Sequence, residues 1–334
     1  MRVLVTGGGG FLGKAICRAL RARGDEVRSL SRGDYPELAG LGVEHRRGDL
    51  ADAAVVHAAM QGCDAVIHTA ALAGIWGDEE RYRLANVVGT ENVLAAMRAH
   101  GIARLVYTST PSVVQTDGDC EAGDGSTPYA PAPRTAYQRT KIAAEKAVRA
   151  ANDATLHTVS LRPRLIWGPG DPHILPRLAE RARAGRLRRV GTRNALVDST
   201  YVDNAADAHI AALDRLQPGA ALCGKAYFVS NGEPWPMWDL INALLEADGA
   251  PRVERSVPEG LAFAIGTVCE GLWTALPLGG EPPMTRFLAR QLCTANWFDI
   301  SSTKADLGWA PRVDMQTGLQ QLRDAIAAVH TRAS

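Results

Sequence analysis

The sequence predicts an α/β protein built on a doubly wound parallel sheet, with a smaller and mainly helical second domain. Short β-branched runs alternate with longer helical patterns through the first half of the chain, which is typical of repeated βα units. A glycine-rich turn follows the first run. Parallel sheets of this kind bind ligands at the carboxyl ends of their strands. Functional side chains are therefore expected to follow strand ends.

Each predicted element has its place in this order. Six runs in the first half predict strands: Val3–Val5, Val27–Leu30, Val43–Arg46, Ala65–Thr69, Leu105–Ser109 and Thr158–Leu161. After about Gly168 the chain is irregular and proline-rich, until a helix start over Asp198–Ile210 and a strand over Ala226–Ser230 return to the first domain. We therefore predict a first domain over 1–167, completed by about 196–231, which carries the parallel sheet and its ligand crevice, and a substrate domain made of 168–195 and 232–334.

Length, charge and cysteine spacing exclude several classes of protein. The 334 residues fit about two domains at roughly 150 residues each. The formal net charge is +1, so no overall field attracts nucleic acid. The six scattered cysteines form no C-x-x-C pair or zinc-ligand spacing, so we expect reduced thiols and no metal site. The apolar run before the glycines is too short for a signal peptide, and a cytoplasmic protein is expected.

The glycine-rich turn Thr6–Gly13 lies between the first strand and a predicted helix over Phe11–Arg23. Without Cβ atoms, its backbone N–H groups and the helix N-terminus can approach a pyrophosphate. The residues predicted to bind a dinucleotide here are Gly7, Gly10, Phe11, Leu12 and Gly13. The run from Gly8 to Lys14 also resembles a triphosphate-binding P-loop, but Ala15 lacks the hydroxyl that would hold magnesium.

The end of the second strand predicts which coenzyme is bound. Folds that prefer NAD place an acid there to bind the ribose 2′-hydroxyl, whereas this strand ends in Ser31 and Arg32. A hydroxyl and a guanidinium suit a 2′-phosphate. The sequence therefore predicts NADPH over NADH, with Asp34 as the candidate acid if the preference is reversed.

A tyrosine and a lysine have the spacing of a proton-transfer pair. Tyr137 and Lys141 lie one turn apart on a predicted helix. A cation beside a phenol lowers the pKa of the phenol from about 10 towards the operating pH. The hydroxyl of Thr110, at the end of the fifth strand, can hydrogen-bond a substrate oxygen as charge develops on it. The alternative for such a hydroxyl is a bond to its own backbone in a turn.

Together with further motifs, these residues resemble the extended short-chain dehydrogenase/reductase superfamily over nearly the whole chain, and within it the 3β-hydroxysteroid and sterol dehydrogenase branch. The motifs that carry the resemblance are Gly48–Leu50, Val66–Ala71, Asn86–Leu94, Leu161–Pro163, Ile166–Asp171, Tyr201–Ala205 and Lys304–Gly308. The resemblance implies a Rossmann fold and a catalytic triad of Tyr137, Lys141 and Thr110, with Ser109 as the alternative hydroxyl.

The resemblance also implies coenzyme contacts and a reaction. Asp49 and Leu50 would flank the adenine, Ala70 and Ala71 would line the coenzyme, Lys141 would also hold the nicotinamide ribose, and Pro163 would lie beside the nicotinamide. Four runs resemble the bacterial ketoreductases of olefin biosynthesis: Tyr107–Val113, Leu161–Asp171, Ser230–Pro234 and Glu281–Leu288. The reaction that this resemblance implies is the reversible NADPH-dependent reduction of a long-chain 2-alkyl-3-keto acid to the 3-hydroxy acid. A homodimer and a complex with a pathway enzyme are the protein partners expected.

Four other functions stay open from the sequence. A 3β-hydroxysteroid dehydrogenase would hold a flat polycyclic alcohol in the same pocket. A nucleotide-sugar epimerase is disfavoured, and a dehydratase more so, because dehydratases of this superfamily place an acidic pair where Pro111 and Ser112 stand. An NADP-sensing binding module would lack the pair formed by Tyr137 and Lys141.

Two features concern the substrate. Arg164 follows Pro163 and is predicted to pair with a substrate carboxylate, with Ser112 as a second substrate contact, whereas Arg162 is interpreted as structural. The mostly apolar segment 257–278 has three interpretations: the lining of a substrate tunnel, a peripheral contact with a membrane, or a buried helix of the second domain. The arginines between 177 and 193 are interpreted as a solvated face.

Overall fold

A computed structural model describes residues 1–276 and 278–333. Pro277, inside the apolar segment 257–278, and Ser334, in the predicted substrate domain, lie outside the described residues. The helices are α1 (Phe11–Ala22), α2 (Pro36–Gly40), α3 (Ala53–Met60), α4 (Glu79–Arg83), α5 (Gly89–His100), α6 (Ala136–Ala150), α7 (Ile174–Arg183), α8 (Val202–Arg215), α9 (Met237–Ala247), α10 (Glu259–Ala275), α11 (Arg286–Gln291), α12 (Ser301–Leu307) and α13 (Met315–Ala333).

The strands include the seven predicted from the sequence. They are β1 (Arg2–Thr6), β2 (Glu26–Ser31), β3 (Glu44–Arg47), β4 (Ala65–His68), β5 (Arg104–Thr108), β6 (Cys120–Gly123), β7 (His157–Pro163), β8 (Ile166–Trp167), β9 (Arg189–Val190), β10 (Leu196–Val197), β11 (Thr200–Tyr201), β12 (Ala226–Val229), β13 (Trp235–Pro236), β14 (Ser256–Val257) and β15 (Asn296–Phe298). A π-helical turn over Leu84–Val88 and a 3-10 turn over Pro111–Val114 complete the description.

The main sheet has seven strands in the order β12-β7-β5-β4-β1-β2-β3, and neighbouring strands pair in parallel. The strand order reverses direction between β1 and β4, which is the crevice where such sheets bind ligands. The predicted α/β fold with a doubly wound parallel sheet is therefore confirmed.

Helices cover both faces of this sheet, as the apolar strands require. On one face, α1 packs over β1 and α8 packs over β4, β5 and β7, through side chains such as Leu20 and Leu213. On the other, α3, α5 and α6 bury side chains such as Met97 and Val148. The predicted helix start at Asp198 is wrong, because Thr200 and Tyr201 extend to pair with β8 and α8 begins only at Val202.

The rest of the chain forms a second layer of packing beside the sheet. A four-stranded sheet has the order β13-β10-β15-β6, and α7, α9 and α13 bury a separate apolar cluster around Trp167, Trp238 and Leu240. The division of the chain into two domains stays a prediction. No helix within the described residues has the length and apolar character needed to cross a membrane.

The apolar segment 257–278 is not a buried helix, so that interpretation is wrong. It contains α10, of which only Ala262 and Gly266 are buried. A Cβ on Gly266 would lie 2.7 Å from the backbone nitrogen of Arg286, so this glycine lets α10 approach the start of α11 closely. The large apolar side chains of α10 lie on the other side of the helix, and most of them are exposed.

Candidate active site

An open cleft of about 690 Å³ runs along the carboxyl ends of the central strands. Every residue that the sequence predicted to bind coenzyme lines it, and so do Tyr137, Lys141 and Thr110. These residues come from separate parts of the chain and meet because parallel strands end at one edge of the sheet. Arg164 and Ser112, the two predicted substrate contacts, are not among the described residues that line this cleft.

The glycine-rich turn has a geometry that only glycine satisfies. Gly7 has a φ of +71°, in the region that L side chains rarely adopt. A Cβ on Gly13 would lie 2.1 Å from the carbonyl oxygen of Gly7. The N-cap of α1 is Gly10, which offers no side chain to cap the helix. The first-turn N–H groups therefore face the cleft, where they can receive a pyrophosphate.

The end of β2 is basic in the structure. Arg32 lines the cleft with an exposed side chain, and the guanidinium of Arg47 donates to the Arg32 carbonyl at 3.0 Å. Ser31 lies beneath the turn, where its hydroxyl accepts a hydrogen bond from the Gly9 N–H at 3.3 Å. Asp34 is exposed and is not among the described cleft residues. Lys14, the lysine of the P-loop alternative, is paired with Glu37 at 2.6 Å.

The loop after β4 is held by a buried asparagine in the π-helical turn. The Asn86 side chain accepts from the Leu72 N–H at 2.7 Å and donates to the Leu72 carbonyl at 3.0 Å. It also donates to the Thr140 hydroxyl on α6 at 3.1 Å. This one side chain therefore links the loop that contains Ala70 and Ala71 to the helix that carries Tyr137. The sequence showed Asn86 only as part of a family motif and not in this role.

The three residues predicted as a catalytic triad lie in the same cleft. The Thr110 hydroxyl also accepts from the Ser112 N–H at 3.2 Å, which is the turn contact that the sequence left open for it. Tyr137 lies in the first turn of α6, which begins where the Thr135 hydroxyl caps the Gln138 N–H. Burial raises the pKa of Tyr137 above its ordinary value, and the nearby Thr110 hydroxyl acts in the opposite direction. Lys141 is almost fully buried, so its pKa is lowered to about 7.

The expected lowering of the Tyr137 pKa by Lys141 is not seen in this structure. The ammonium of Lys141 donates to the Thr108 carbonyl at 2.7 Å and lies 4.2 Å from the centre of the Tyr107 ring. Desolvation therefore dominates the pKa of the phenol. With a raised pKa, the phenol is protonated at neutral pH, which is the form that a proton donor requires.

Two buried groups support Lys141 from behind. Glu145, one turn later on α6, forms a buried ion pair with Arg162 at 2.5 Å and opposes the lowering of the Lys141 pKa. The Thr108 side chain lies 2.8 Å from Nε2 of His209, whose Nδ1 lies 2.7 Å from the Ala205 carbonyl. Because a carbonyl only accepts, Nδ1 carries the proton and Nε2 accepts from Thr108. Arg162 is thus structural, as predicted.

Arg164 lies beside the cleft in an unusual environment. Burial lowers its pKa to about 10, and Asp198 is the nearest acid that acts in the opposite direction. Its Nε is buried without a hydrogen-bond partner among the described residues, as is Oδ1 of Asp198. The burial raises the pKa of Asp198 to about 6. A buried guanidinium N–H without an acceptor is costly, so this arginine is suited to receive an anionic group.

The far end of the cleft contains residues that the sequence analysis did not single out as site residues. They are Ile75, Ala85, Leu165, Ile166, Asp171, His173 and Ile174. The Asp171 carboxylate accepts from the N–H groups of His173, Ile174 and Leu175 and so shapes the start of α7. Leu165 has a φ of +43°, which is rare for a branched residue. The available signal was the motif Ile166–Asp171, which follows the predicted nicotinamide contact Pro163.

The cleft combines a turn in which only glycine fits, a basic residue at the end of β2, and a tyrosine and a lysine one turn apart on α6. These features together define a dinucleotide-binding oxidoreductase. Comparison with known proteins gives the family. Residues 4–258 match the 3-beta hydroxysteroid dehydrogenase/isomerase family, and the chain belongs to it. The predicted family resemblance is confirmed. The protein is therefore an NAD(P)-dependent oxidoreductase that acts on CH–OH groups.

Individual relatives cover nearly the whole chain. The chain is 55% identical to the 2-alkyl-3-oxoalkanoate reductase of Stenotrophomonas maltophilia, over 98% of this chain and 100% of that protein. It is 36% identical to a 3 beta-hydroxysteroid dehydrogenase/Delta 5-->4-isomerase of Mycobacterium tuberculosis, over 96% and 89%. The solved UDP-glucose 4-epimerase of Thermus thermophilus, in complex with NAD, is 28% identical, with a TM-score of 0.74 and coverage of 98% and 99%.

Proposed function

We propose that this protein reduces a long-chain 2-alkyl-3-oxoalkanoic acid to the 2-alkyl-3-hydroxyalkanoic acid with NADPH, reversibly, in olefin biosynthesis. The observation that carries the proposal is the similarity over nearly the full chain to proteins named 2-alkyl-3-oxoalkanoate reductase, at 55% identity in Stenotrophomonas maltophilia and 47% in Shewanella oneidensis. The cleft also brings together Tyr137, Lys141 and Thr110, the groups that a carbonyl reduction needs.

The residues of the cleft divide the work of this reaction. When bound, the nicotinamide coenzyme supplies the hydride. Tyr137 donates its phenolic proton to the substrate oxygen on C3. Thr110 donates a hydrogen bond to the same oxygen as negative charge develops on it. Lys141, fixed by the Thr108 carbonyl, holds the nicotinamide ribose and contributes positive charge when protonated. In the reverse direction Tyr137 accepts the proton of the 3-hydroxyl.

Arg164 is proposed to bind the carboxylate of the keto acid. Its backbone follows Pro163, which lines the cleft, and its guanidinium forms no hydrogen bond within the described part of the chain. A keto acid that extends past Pro163 would bring its carboxylate towards this group. A substrate anion would then supply the hydrogen bonds that the buried guanidinium lacks. Ser112, which lies 3.2 Å from the Thr110 hydroxyl, remains a proposed neighbour of the substrate.

NADPH is proposed as the preferred coenzyme because Arg32 and Arg47 meet at the end of β2, where an acid would be needed to favour NADH. A homodimer, a complex with a pathway enzyme and a contact of 257–278 with a membrane also stay predictions. A 3β-hydroxysteroid dehydrogenase activity is the second candidate, favoured by the family itself and by the mycobacterial relative.

A substrate panel with a matched pair of variants tests this proposal. NADPH oxidation is followed with a 2-alkyl-3-keto acid, with the corresponding ketone that lacks the carboxylate, and in reverse with a 3β-hydroxysteroid. We expect the keto acid to have the highest kcat/KM. We also expect Arg164→Leu to lower kcat/KM for the keto acid by about 10- to 100-fold, the value of a charge-assisted hydrogen bond, and to leave the ketone within about twofold.

The control is Arg98→Leu, which removes an exposed arginine that pairs with Asp153. This variant should leave kcat/KM unchanged for both substrates. Preference for the steroid would replace the proposed substrate by the second candidate. An equal effect of Arg164→Leu on keto acid and ketone would remove Arg164 from the binding of the carboxylate.

A further inference from the structure

The outer face of α10 is an apolar surface that nothing in the described chain covers. Leu261, Ile265, Val268, Leu272 and Leu276 recur every three or four residues and therefore share one side of the helix. Their side chains remain exposed, from 44% at Ile265 to 61% at Val268. A continuous row of large exposed apolar side chains marks an interaction site on the surface of a folded protein. We call these five residues the α10 stripe.

The polar groups of α10 are turned away from this stripe or satisfied within the helix. Its two acids face the protein, where Glu259 pairs with Arg290 at 2.8 Å and Glu270 with Arg286 at 2.5 Å. The hydroxyls of Thr267 and Thr274 donate to carbonyls of the helix itself. The stripe therefore offers no charge or hydrogen-bonding group to a partner. The hydrocarbon of a lipid layer requires that a surface in contact with it carry no such group.

A basic rim adjoins the start of α10. Strand β14, which leads into the helix, pairs with β9, and the arginines of these strands and their flanks are Arg186, Arg188, Arg189 and Arg255. Within the described residues, none of these arginines lies within ion-pair distance of a carboxylate. The acidic residue next to them in the sequence is Glu254, which precedes Arg255. Arginines without an ion-pair partner, beside an apolar helix face, complement an anionic headgroup layer.

The chain after α10 leads to the substrate end of the cleft. Glu281 pairs with Arg177 of α7 at 3.0 Å, and the first residue of α7, Ile174, lines the cleft. A Cβ on Gly74 would lie 2.9 Å from Oε1 of Glu281, and Gly74 stands between the cleft residues Ala73 and Ile75. The segment that follows α10 therefore contacts both the loop and the helix that line this end of the cleft.

We propose that the α10 stripe rests on the surface of an anionic lipid bilayer, with the arginines of the basic rim next to the headgroups. The contact is peripheral, because the helix lies along the surface and is too short in apolar length to cross it. This proposal does not depend on the identity of the substrate, since binding to lipid is measured without any turnover. A long-chain keto acid dissolved in the bilayer would nevertheless meet the cleft where its apolar residues lie.

Sedimentation with vesicles tests the proposal on the full chain with NADPH bound. The vesicles are phosphatidylcholine alone or phosphatidylcholine with about one-quarter phosphatidylglycerol. We expect binding to the anionic vesicles, weakened by about 0.5 M NaCl because salt screens the arginines. The double variant Val268→Glu/Leu272→Glu is expected to bind at least about tenfold more weakly, since it places two charges in the apolar contact.

The matched control is Val329→Glu, which puts the same charge at a residue of α13 that is 65% exposed, and it should bind like the unmodified protein. Melting temperature and NADPH binding verify that each variant is folded, which is expected because both sites are on the surface. Failure of the unmodified protein to sediment with anionic vesicles overturns the proposal, and so does equal sedimentation of the double variant. A change of the double variant from dimer to monomer, without vesicle binding by the unmodified protein, would instead make the stripe an interface between copies.

Discussion

At the scale of single residues, we propose that the side chains at the end of β2 decide which coenzyme this cleft accepts. At the end of β2, Arg32 is exposed at the cleft, and Arg47 is bonded to its carbonyl. The sequence pointed to Arg32 because it stands where an acid would favour NADH. Arg47 was not predicted, since it belongs to β3 and reaches this site only because β2 and β3 pair in parallel with Ser31 opposite Arg47. The two guanidinium groups together are expected to receive a 2′-phosphate.

Arg32→Ala tests that preference. We expect kcat/KM for NADPH to fall about 10- to 100-fold, because a charge-assisted contact with the phosphate is lost, while kcat/KM for NADH changes less than about twofold. The control is Arg46→Ala, whose guanidinium pairs with Glu44 at 2.8 Å and should leave both coenzymes unaffected. An unchanged ratio between the two coenzymes would exclude Arg32 from their discrimination.

At the scale of elements, α6 positions the residues that are proposed to transfer the proton. The Thr135 cap starts the helix, so that Tyr137 lies in its first turn, Lys141 one turn later and Glu145 after a further turn. Each of the three faces the sheet, because side chains four residues apart share one face. The spacing was visible in the sequence. The partners of Lys141 and Glu145, which are Thr108 and Arg162, are distant in the chain and were decided by packing. The same holds for Asn86, which bonds Thr140 on this helix.

Tyr137→Phe is expected to lower kcat by at least about 100-fold, because the substrate oxygen loses its proton donor. Coenzyme affinity, measured by NADPH fluorescence, should change little, since Lys141 and the glycine turn are retained. The matched control is Tyr82→Phe, in which the neighbouring ring, 6.5 Å away between centres, loses a hydroxyl that donates to the Trp76 carbonyl. Turnover by Tyr137→Phe similar to that of Tyr82→Phe would refute the proposed proton donor.

For the whole molecule, buried histidines make stability depend on pH. Burial lowers the pKa of His209 to about 4 and that of His68 to about 3. In the unfolded chain a histidine has a pKa of about 6.5. Below that value the unfolded state binds more protons than the folded state, so the free energy of unfolding falls as pH decreases from about 6.5 towards 4.

Chemical denaturation between pH 7 and pH 5 measures this effect. From His209 alone we expect a loss of about 2 kcal/mol by pH 5. In His209→Gln the loss on acidification should be smaller by about that amount, even though the variant starts from a lower stability. His57→Gln removes an exposed histidine and should keep the slope of the unmodified protein. An identical slope in His209→Gln would contradict the assignment of the effect to His209.

Much of the fold and of the coenzyme site could be predicted, because both depend on local signals. The alternation of β-branched runs and helices is a property of adjacent residues, and it located the strands of the main sheet. The glycines at 7, 10 and 13 were recognisable because the turn needs both a positive φ and the absence of a Cβ. The start of α8 was harder to predict from the sequence. Thr200 and Tyr201 precede a helical pattern directly, but their pairing with β8 keeps them extended.

The sequence by itself determined the class of fold, the dinucleotide turn and the spacing of Tyr137 and Lys141, since each depends on residues close together in the chain. Only the tertiary structure decided which strand-end residues line the cleft. Arg164 is adjacent to Pro163 but is not among the described residues that line the cleft, because the direction of a side chain at a strand end depends on the packing around it and not on its place in the sequence. It also decided that α10 is exposed, because a buried helix and a helix that binds another surface have the same apolar composition, and only the packing of the rest of the chain distinguishes them.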